Sequence, residues 1–77
     1  MTFDRELFAG NLRANRARMR MTQKELAAEI GVAEQTINNY EHAVNTPTIE
    51  RACKLADVFG VSLETLLRRT WEEPEDA

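Results

Sequence analysis

A glycine between two short amphipathic patterns limits what this chain can fold into more than any other feature. Before it, three apolar residues recur at the spacing of one helix face, namely Leu26, Ala27 and Ile30. Gly31 then interrupts the pattern, as a residue that tolerates a positive φ does where a helix ends. A second helical pattern follows, and its apolar side carries Ala33, Ile37 and Tyr40. Residues 23–40 therefore predict two short helices joined by a tight turn.

The start of the first of these helices has its own signal. Thr22 suits the residue before the helix, and Glu25 follows at the spacing of a capping box. Gln23 lies in the first turn, where unpaired backbone N–H groups can receive an anion. Ala27 is small enough to let two helices cross closely over a short turn. An ordinary helical hairpin in an unrelated bundle is the alternative, and the joint spacing of Ala27, Gly31 and Ile37 favours a DNA-binding helix-turn-helix over it.

The outward side of the second helix is rich in amides. At 100° per residue, its polar side chains fall opposite the apolar side, and they are Glu34, Gln35, Asn38, Asn39 and His42. A helix face that serves only solubility usually carries Lys and Glu, and Asn is a poor helix former. Asn and Gln can read the edges of bases in the major groove of DNA. We interpret this side as a DNA-reading surface, with an incidental polar surface as the alternative.

Helix 1 is predicted from about residues 2–4 to Met19, with Phe8 and Leu12 on its apolar face and Leu7 beside them. Asn15 and Arg16 interrupt that face, which favours burial of Arg16. Arginines form a basic cluster at the C-terminal end of this helix, and they are Arg13, Arg16, Arg18 and Arg20. This cluster is either a solvated face or a contact with phosphate.

Helices 4 and 5 are predicted after Pro47. Thr48 is the expected N-cap of helix 4, which runs from about Ile49 to Phe59 and ends at Gly60. The residues expected to be buried are Ile49, Ala52, Cys53, Ala56 and Phe59, with Leu55 flanking them. Ser62 caps helix 5, whose apolar residues are Leu63, Leu66 and Leu67. The complete pattern is all-α.

The formal net charge of −3 is unevenly distributed. Four of the acidic residues follow Trp71, and they are Glu72, Glu73, Glu75 and Asp76. Residues 1–70 carry ten Lys and Arg against nine Asp and Glu. We expect one helical domain over residues 1–70 and an acidic, disordered tail over residues 71–77. The acidic balance argues weakly against nucleic acid, so a DNA-facing patch has to come from how the charges are distributed.

Several classes of protein are disfavoured by composition. One cysteine, Cys53, rules out an internal disulfide and fits a reducing cytoplasm, and we expect it to be an inert core thiol. The sequence has no secretory signal pattern and no segment of membrane-spanning length. His42 has no second histidine to share a metal and no acid–base partner by spacing. Neither a metal, a cofactor nor an enzymatic activity is expected.

Short phrases spread over the chain extend the argument beyond one motif. They are LxxxR at residues 12–16, TQxELA at 22–27, GV at 31–32, YE at 40–41 and LAxxFGV at 55–61. Over about 60 residues the chain resembles the lambda repressor/Cro family of Xre-like transcriptional regulators. The resemblance implies a compact five-helix domain with its helix-turn-helix at helices 2 and 3. It further implies a bacterial or phage repressor, cytoplasmic and nucleoid-associated when bound to a palindromic operator in double-stranded DNA.

The resemblance also divides the surface residues by role. Gln35 and Asn39 are the first choices for contact with base edges, followed by Glu34 and Asn38. The residues expected to contact phosphate are Gln23, Thr36, Asn45, Thr46 and Arg16. Arg16 and Glu41 are expected to pair, tying helix 1 to the end of helix 3. A homodimer is expected on DNA, with Leu63, Leu66 or Trp71 as its contact.

Three residues depart from the family pattern. Ala33 stands where Ser or Thr usually caps helix 3, which weakens the start of that helix by about 1 kcal/mol. Ala43 and Arg20 stand where Gly is common. The weak positive charge and the acidic tail favour a different class, an antitoxin or anti-repressor-like protein-interaction module on the same fold. The amide face and Gln23 oppose it, and phosphate-driven binding that weakens with salt would discriminate.

Overall fold

Five α-helices form in the computed structural model, which describes residues 4–67. In chain order they are α1 (Arg5–Arg18), α2 (Gln23–Ile30), α3 (Glu34–Glu41), α4 (Ile49–Phe59) and α5 (Leu63–Leu66). No strand occurs within residues 4–67. The predicted all-α architecture is therefore confirmed. The predictions for Trp71 and for the acidic tail over residues 71–77 lie outside the described residues.

Side-chain caps fix where four of the five helices begin. At α2 the Glu25 backbone N–H donates to Thr22 Oγ1 at 3.0 Å, and the Thr22 N–H donates to Glu25 Oε1 at 2.9 Å. This is the predicted capping box. Side chains at the starts of α1, α4 and α5 also accept a backbone N–H, and they belong to Asp4, Thr48 and Ser62. Ala33 gives α3 no side-chain cap, because a methyl group cannot accept a hydrogen bond.

Two glycines end helices at the predicted residues. Gly31 closes α2 with φ of 75° and Gly60 closes α4 with φ of 71°, both in the left-handed region. Each glycine N–H turns back to carbonyl oxygens of its own helix. Such a conformation costs most other residues about 1–2 kcal/mol. Gly31 therefore sets the angle at which α3 leaves α2.

A single core lies between the helices. Its buried residues are Phe8, Leu12, Leu26, Ala27, Ile30, Ile37, Tyr40, Leu55, Ala56, Phe59 and Leu66. The α2 helix packs against α3 and α4, and α1 packs against α3 and α5. Each large apolar side chain in such a core stabilises the fold by about 1.5–3 kcal/mol. The α2–α3 pair is consequently held from behind, and the outward side of α3 is left open.

The prediction for α4 is wrong at two residues. Ile49 is 70% exposed, and Cys53 is also exposed. The buried stripe runs instead through Ala52, Leu55, Ala56 and Phe59, at the spacing of one helix face. Leu55, expected at the flank, is fully buried at the centre of this stripe. Cys53 lies next to Ala52 in sequence but turns away from the core, so the prediction of an inert core thiol on the apolar face of helix 4 is wrong.

The apolar face of α1 is completed by an amide. Asn15 is fully buried, and its Nδ2 donates to the Asn11 carbonyl oxygen at 2.9 Å. Its Oδ1 accepts from Arg18 Nη2 at 3.0 Å. Met19, predicted as the last residue of the helix, lies just beyond it and is 39% exposed. The interruption seen in the sequence at Asn15 is thus a buried polar position with its hydrogen bonds satisfied.

Among the described residues, none of the helices has the length and apolar character that crossing a bilayer would need.

Candidate nucleic-acid interface

The outward side of α3 gathers the four residues proposed to read bases. Glu34 and Gln35 are exposed, and Asn38 and Asn39 are half-buried, while Ile37 faces the core. Gln35 Nε2 donates to Asn39 Oδ1 at 3.0 Å, one helical turn further on. The two amides therefore form a pair that still offers one acceptor and several N–H donors to a partner.

A buried carboxylate fixes α3 to α1 from the other side. The Glu41 side chain is 1% exposed, and Arg16 meets it with Nε to Oε2 at 2.6 Å and Nη2 to Oε1 at 3.0 Å. Arg16 Nη1 also donates to the Met21 carbonyl oxygen at 2.9 Å, in the segment before α2. The hydrogen bond to Glu41 raises the pKa of Arg16, and burial opposes that shift only in part. The ion pair between Arg16 and Glu41 therefore fixes the C-terminal end of α3 against α1.

Gln23 shares the same carboxylate. Its Nε2 donates to Glu41 Oε1 at 3.0 Å, and its Oε1 accepts from Asn38 Nδ2 at 3.4 Å. A residue proposed to contact phosphate is thus bonded to the pair on one side and to a proposed base reader on the other. Sequence reasoning missed this link, because nothing in the spacing of residues 23, 38 and 41 relates an amide on α2 to two residues on α3.

The remaining proposed phosphate contacts line a shallow groove. Thr36 from α3 and Asn45 and Thr46 from the following loop share it with Arg5 and Arg51. Arg51 Nη1 donates to the Tyr40 hydroxyl oxygen at 3.1 Å, and Arg5 Nη1 reaches the Ala43 carbonyl oxygen at 3.4 Å. No acidic residue of the described chain lines this groove. It can therefore attract an anion at the end of α3.

Sequence reasoning missed both arginines of the groove. Arg51 lies in the first turn of α4, close to the loop, and that proximity was a usable signal. Arg5 starts α1, far from Ala43 in sequence, and only the packing of α1 against α3 brings the two together. Ala43 itself has φ of 59° and Arg20 has φ of 57°. Both stand where the family often has Gly, and both take the backbone conformation that Gly would.

Residues 4–67 contain no group of three or more His, Cys, Asp or Glu that could hold a metal ion. His42 is exposed, and its Nδ1 lies 2.8 Å from the carbonyl oxygen of Asn38, one turn earlier.

The sequence profile described as Helix-turn-helix matches residues 12–66. The chain therefore belongs to the helix-turn-helix family of DNA-binding transcriptional regulators, and the resemblance to lambda repressor-like proteins is confirmed. An uncharacterised HTH-type transcriptional regulator of Archaeoglobus fulgidus is 36% identical over 62 residues, covering 75% of this chain and 87% of that protein. The cryptic phage CTXphi transcriptional repressor RstR of Vibrio cholerae is 34% identical over 55 residues, covering 71% and 48%. Among such curated relatives, the matched share of their own length ranges from 21% to 87%.

Solved structures agree with this assignment. SinR, the master regulator for biofilm formation, was solved in complex with DNA and is similar with a TM-score of 0.74 at 29% identity, covering 79% of this chain and 98% of that one. Hydroxypropylphosphonic acid epoxidase of S. wedmorenis aligns with a TM-score of 0.78 at 23% identity, covering 88% of this chain and 36% of the enzyme. At that identity the likeness to the epoxidase shows the fold alone.

Proposed function

We propose that this protein is a sequence-specific transcriptional repressor that inserts α3 into the major groove of double-stranded DNA. The observation that carries the proposal is the outward amide side of α3, where Gln35 and Asn39 are already paired at 3.0 Å. The relatives named as regulators and as a phage repressor support the same class.

The chemistry of the amide side favours adenine. An amide accepts from adenine N6 and donates to N7, whereas guanine is best met by Arg or Lys. Gln35 and Asn39 are the proposed readers, and α3 carries no basic residue. Glu34 could accept from a cytosine N4, or it could serve the dipole at the start of α3. We therefore expect at least one strongly preferred A·T pair in each half-site.

Contacts with the backbone would flank this reading surface. Gln23 approaches from α2, and the groove of Thr36, Asn45 and Thr46 is formed by α3 and the loop that follows it, with two arginines beside it. Arg16 donates to Glu41 and to Met21, so we assign it mainly to holding α3 and only secondarily to phosphate. Phosphate contacts position a protein on the duplex, while base contacts carry the specificity.

A homodimer on a palindromic operator completes the proposal. One helix in one groove reads few base pairs, and paired half-sites about 10 bp apart are the usual remedy. Of the residues expected at the contact, Leu66 is fully buried in its own protomer and is not available. Leu67, which is 43% exposed, and the half-buried Leu63 remain on the surface of this end of the fold.

Selection of bound sequences from a random duplex pool tests the proposal. The expected result is two repeated half-sites, each with a preferred A·T pair. Gln35→Ala and Asn39→Ala should each weaken binding to the best site by about 1–3 kcal/mol and relax the preference at one base pair. Asp57→Ala, at an exposed residue of α4, is the control and should leave the preference unchanged.

Three results would count against the proposal. Uniform losses across all sequences in both α3 variants would mean that the amide side does not read bases. A single unrepeated half-site bound by one protomer would contradict the proposed homodimer. Binding to generic duplex that does not weaken between about 50 and 200 mM salt would favour the protein-interaction class, because phosphate contacts must be salt-dependent.

A further inference from the structure

We infer that Gln23 is a positioning residue that sets the direction of the Asn38 amide and thereby the base that Asn38 favours. The inference rests on the proposed reading role of α3. It assigns Gln23 a part in specificity, beyond the phosphate contact expected from the sequence. Three hydrogen-bonded groups carry it: the Glu41 carboxylate, the Gln23 amide and the Asn38 amide.

The carboxylate fixes the first amide. Glu41 is 1% exposed, and its two oxygens already accept from Arg16 Nε and Nη2. A carboxylate paired with an arginine only accepts hydrogen bonds, so the side of Gln23 that faces it must be the Nε2 group. The distance of 3.0 Å is that of a hydrogen bond to a charged acceptor. Gln23 Oε1 is therefore turned away from Glu41.

The first amide fixes the second. Gln23 Oε1 lies 3.4 Å from Asn38 Nδ2, and an amide oxygen can only accept. Reversing Asn38 would bring two amide oxygens together. Reversing Gln23 as well would turn its oxygen toward the Glu41 carboxylate and lose a charge-assisted bond. The orientation of the Asn38 amide is thus determined by the buried Glu41 carboxylate, to which it is connected through Gln23.

This direction has a consequence for the major groove. Within residues 4–67 no donor is bonded to Asn38 Oδ1, so the oxygen is available to accept from a base. Adenine and cytosine present an exocyclic amino donor in the major groove, whereas guanine and thymine present carbonyl oxygens there. Asn38 should therefore contact an adenine or a cytosine through that amino group.

The pair formed by Gln35 and Asn39 differs in this respect. Gln35 is exposed and Asn39 is half-buried, and their side-chain hydrogen bond within residues 4–67 is to each other. No charged group fixes which of the two donates, so the pair can adapt to the base it meets. Asn38 is the reader whose polarity is set in advance.

The test begins by locating the base that Asn38 contacts. Asn38→Ala should relax the selected preference at one base pair. A duplex that lacks the exocyclic amino group at that pair should then bind the wild-type chain about tenfold more weakly. Gln23→Met keeps the length of the side chain and removes both amide atoms, while Arg16 still neutralises Glu41. Without the bond to Gln23, Asn38 can also turn its Nδ2 toward a duplex that lacks the amino group. This variant should therefore weaken the preference at that pair and bind both duplexes within about twofold of each other.

Lys24→Met, at the neighbouring exposed residue of α2, is the matched control. It should weaken all sequences alike and keep the amino-group effect. A Gln23→Met variant that loses affinity uniformly, with the preference intact, would overturn the inference and leave Gln23 as a phosphate contact. An Asn38→Ala variant with unchanged preferences would also overturn it, while the proposed function stood on Gln35 and Asn39. A wild-type chain that selects no sequence would instead refute the proposed function itself.

Discussion

Glu41 is strongly constrained by its surroundings, because its carboxylate is almost fully removed from water and must be paired inside the protein. Arg16 supplies the opposite charge and Gln23 a further N–H, so both carboxylate oxygens are satisfied. Removing one partner of a buried pair leaves a desolvated charge without compensation, which is the costly case. The same side chain therefore contributes to stability and to the orientation of α3.

Glu41→Ala should lower the free energy of unfolding by about 3 kcal/mol, the lower end of the range for breaking a buried pair. The lower end applies because Arg16 keeps 23% of its side chain exposed and can turn toward water. Urea unfolding beside the wild-type chain measures the difference. Glu29→Ala, an exposed carboxylate on α2, is the control and should change stability by less than about 0.5 kcal/mol.

The pKa of Arg16 is raised, so its contribution to stability is complete at neutral pH and is lost only as pH rises through that raised value. The effect of Glu41→Ala should accordingly be equal at pH 7 and pH 9. An unchanged unfolding midpoint in the variant would mean that the pair adds nothing to stability.

Single residues also show how much of the candidate site could be predicted from the sequence. Arg16 interrupts an apolar stripe, and that interruption indicated a half-buried charge, while its partner Glu41 was expected from the family resemblance alone. The sequence predicted that Gln23 lies in the first turn of α2. Nothing in the sequence predicted its bond to Asn38, since that bond depends on the crossing angle of two helices. Cys53 was misjudged because an apolar residue next to the buried stripe reads like part of it.

Among the elements, α3 has the weakest start although it carries the proposed reading surface. Ala33 has the extended backbone of an N-cap, with φ of −76° and ψ of 153°, but its methyl group cannot accept a hydrogen bond. The first N–H groups of α3 are therefore without the side-chain partner that α2 has in Thr22. Packing of Ile37 and Tyr40 into the core must hold the helix instead.

Ala33→Ser should raise the free energy of unfolding by about 1 kcal/mol, because the hydroxyl can accept from an N–H of the first turn. For a domain of this size that corresponds to a rise in Tm of about 4–8 °C. Calorimetry checks the change. Ala28→Ser, at an exposed residue inside α2, is the control and should lower Tm slightly, since Ser is a poorer helix former than Ala. An equal response in both variants would argue against a missing cap.

Helices were more predictable than the sites between them. The bounds of α2 and α4 follow from capping residues, two glycines and periodic apolar residues, all of which act within a few positions of one another. The groove at the end of α3 joins Arg5 to Asn45 and Thr46, and no local rule relates such distant residues. Its existence depends on how α1 packs against α3.

For the molecule as a whole, the distribution of charge matters more than its sum. The formal net charge is −3, yet Arg5 and Arg51 stand in one groove without an acidic neighbour in its lining. A protein of acidic pI can therefore still present a local positive field to a phosphate backbone.

The double variant Arg5→Ala/Arg51→Ala should reduce the salt dependence of DNA binding. Each lost phosphate contact lowers the slope of log K against log salt by about 0.9, so a fall of about 2 is expected. Base preference should not change, because phosphate contacts carry no sequence information. Fluorescence anisotropy across a salt series measures the slope, with Lys54→Ala as the control outside the groove. A double variant with the wild-type slope would exclude the groove from the interface.

The paired amides on α3 bear on how such a protein can change its target. Within residues 4–67 the side chains of Gln35 and Asn39 bond to each other, and neither residue belongs to the hydrophobic core. If these amides read bases as proposed, we expect substitutions at the two residues to change the base preference without loss of stability. Asn38 and Glu41 are different, because they connect to α1 and α2 through shared partners. We expect that the α3 sequence of a relative can replace this one if Gln23 and Glu41 are kept and only the residues at positions 35 and 39 are changed.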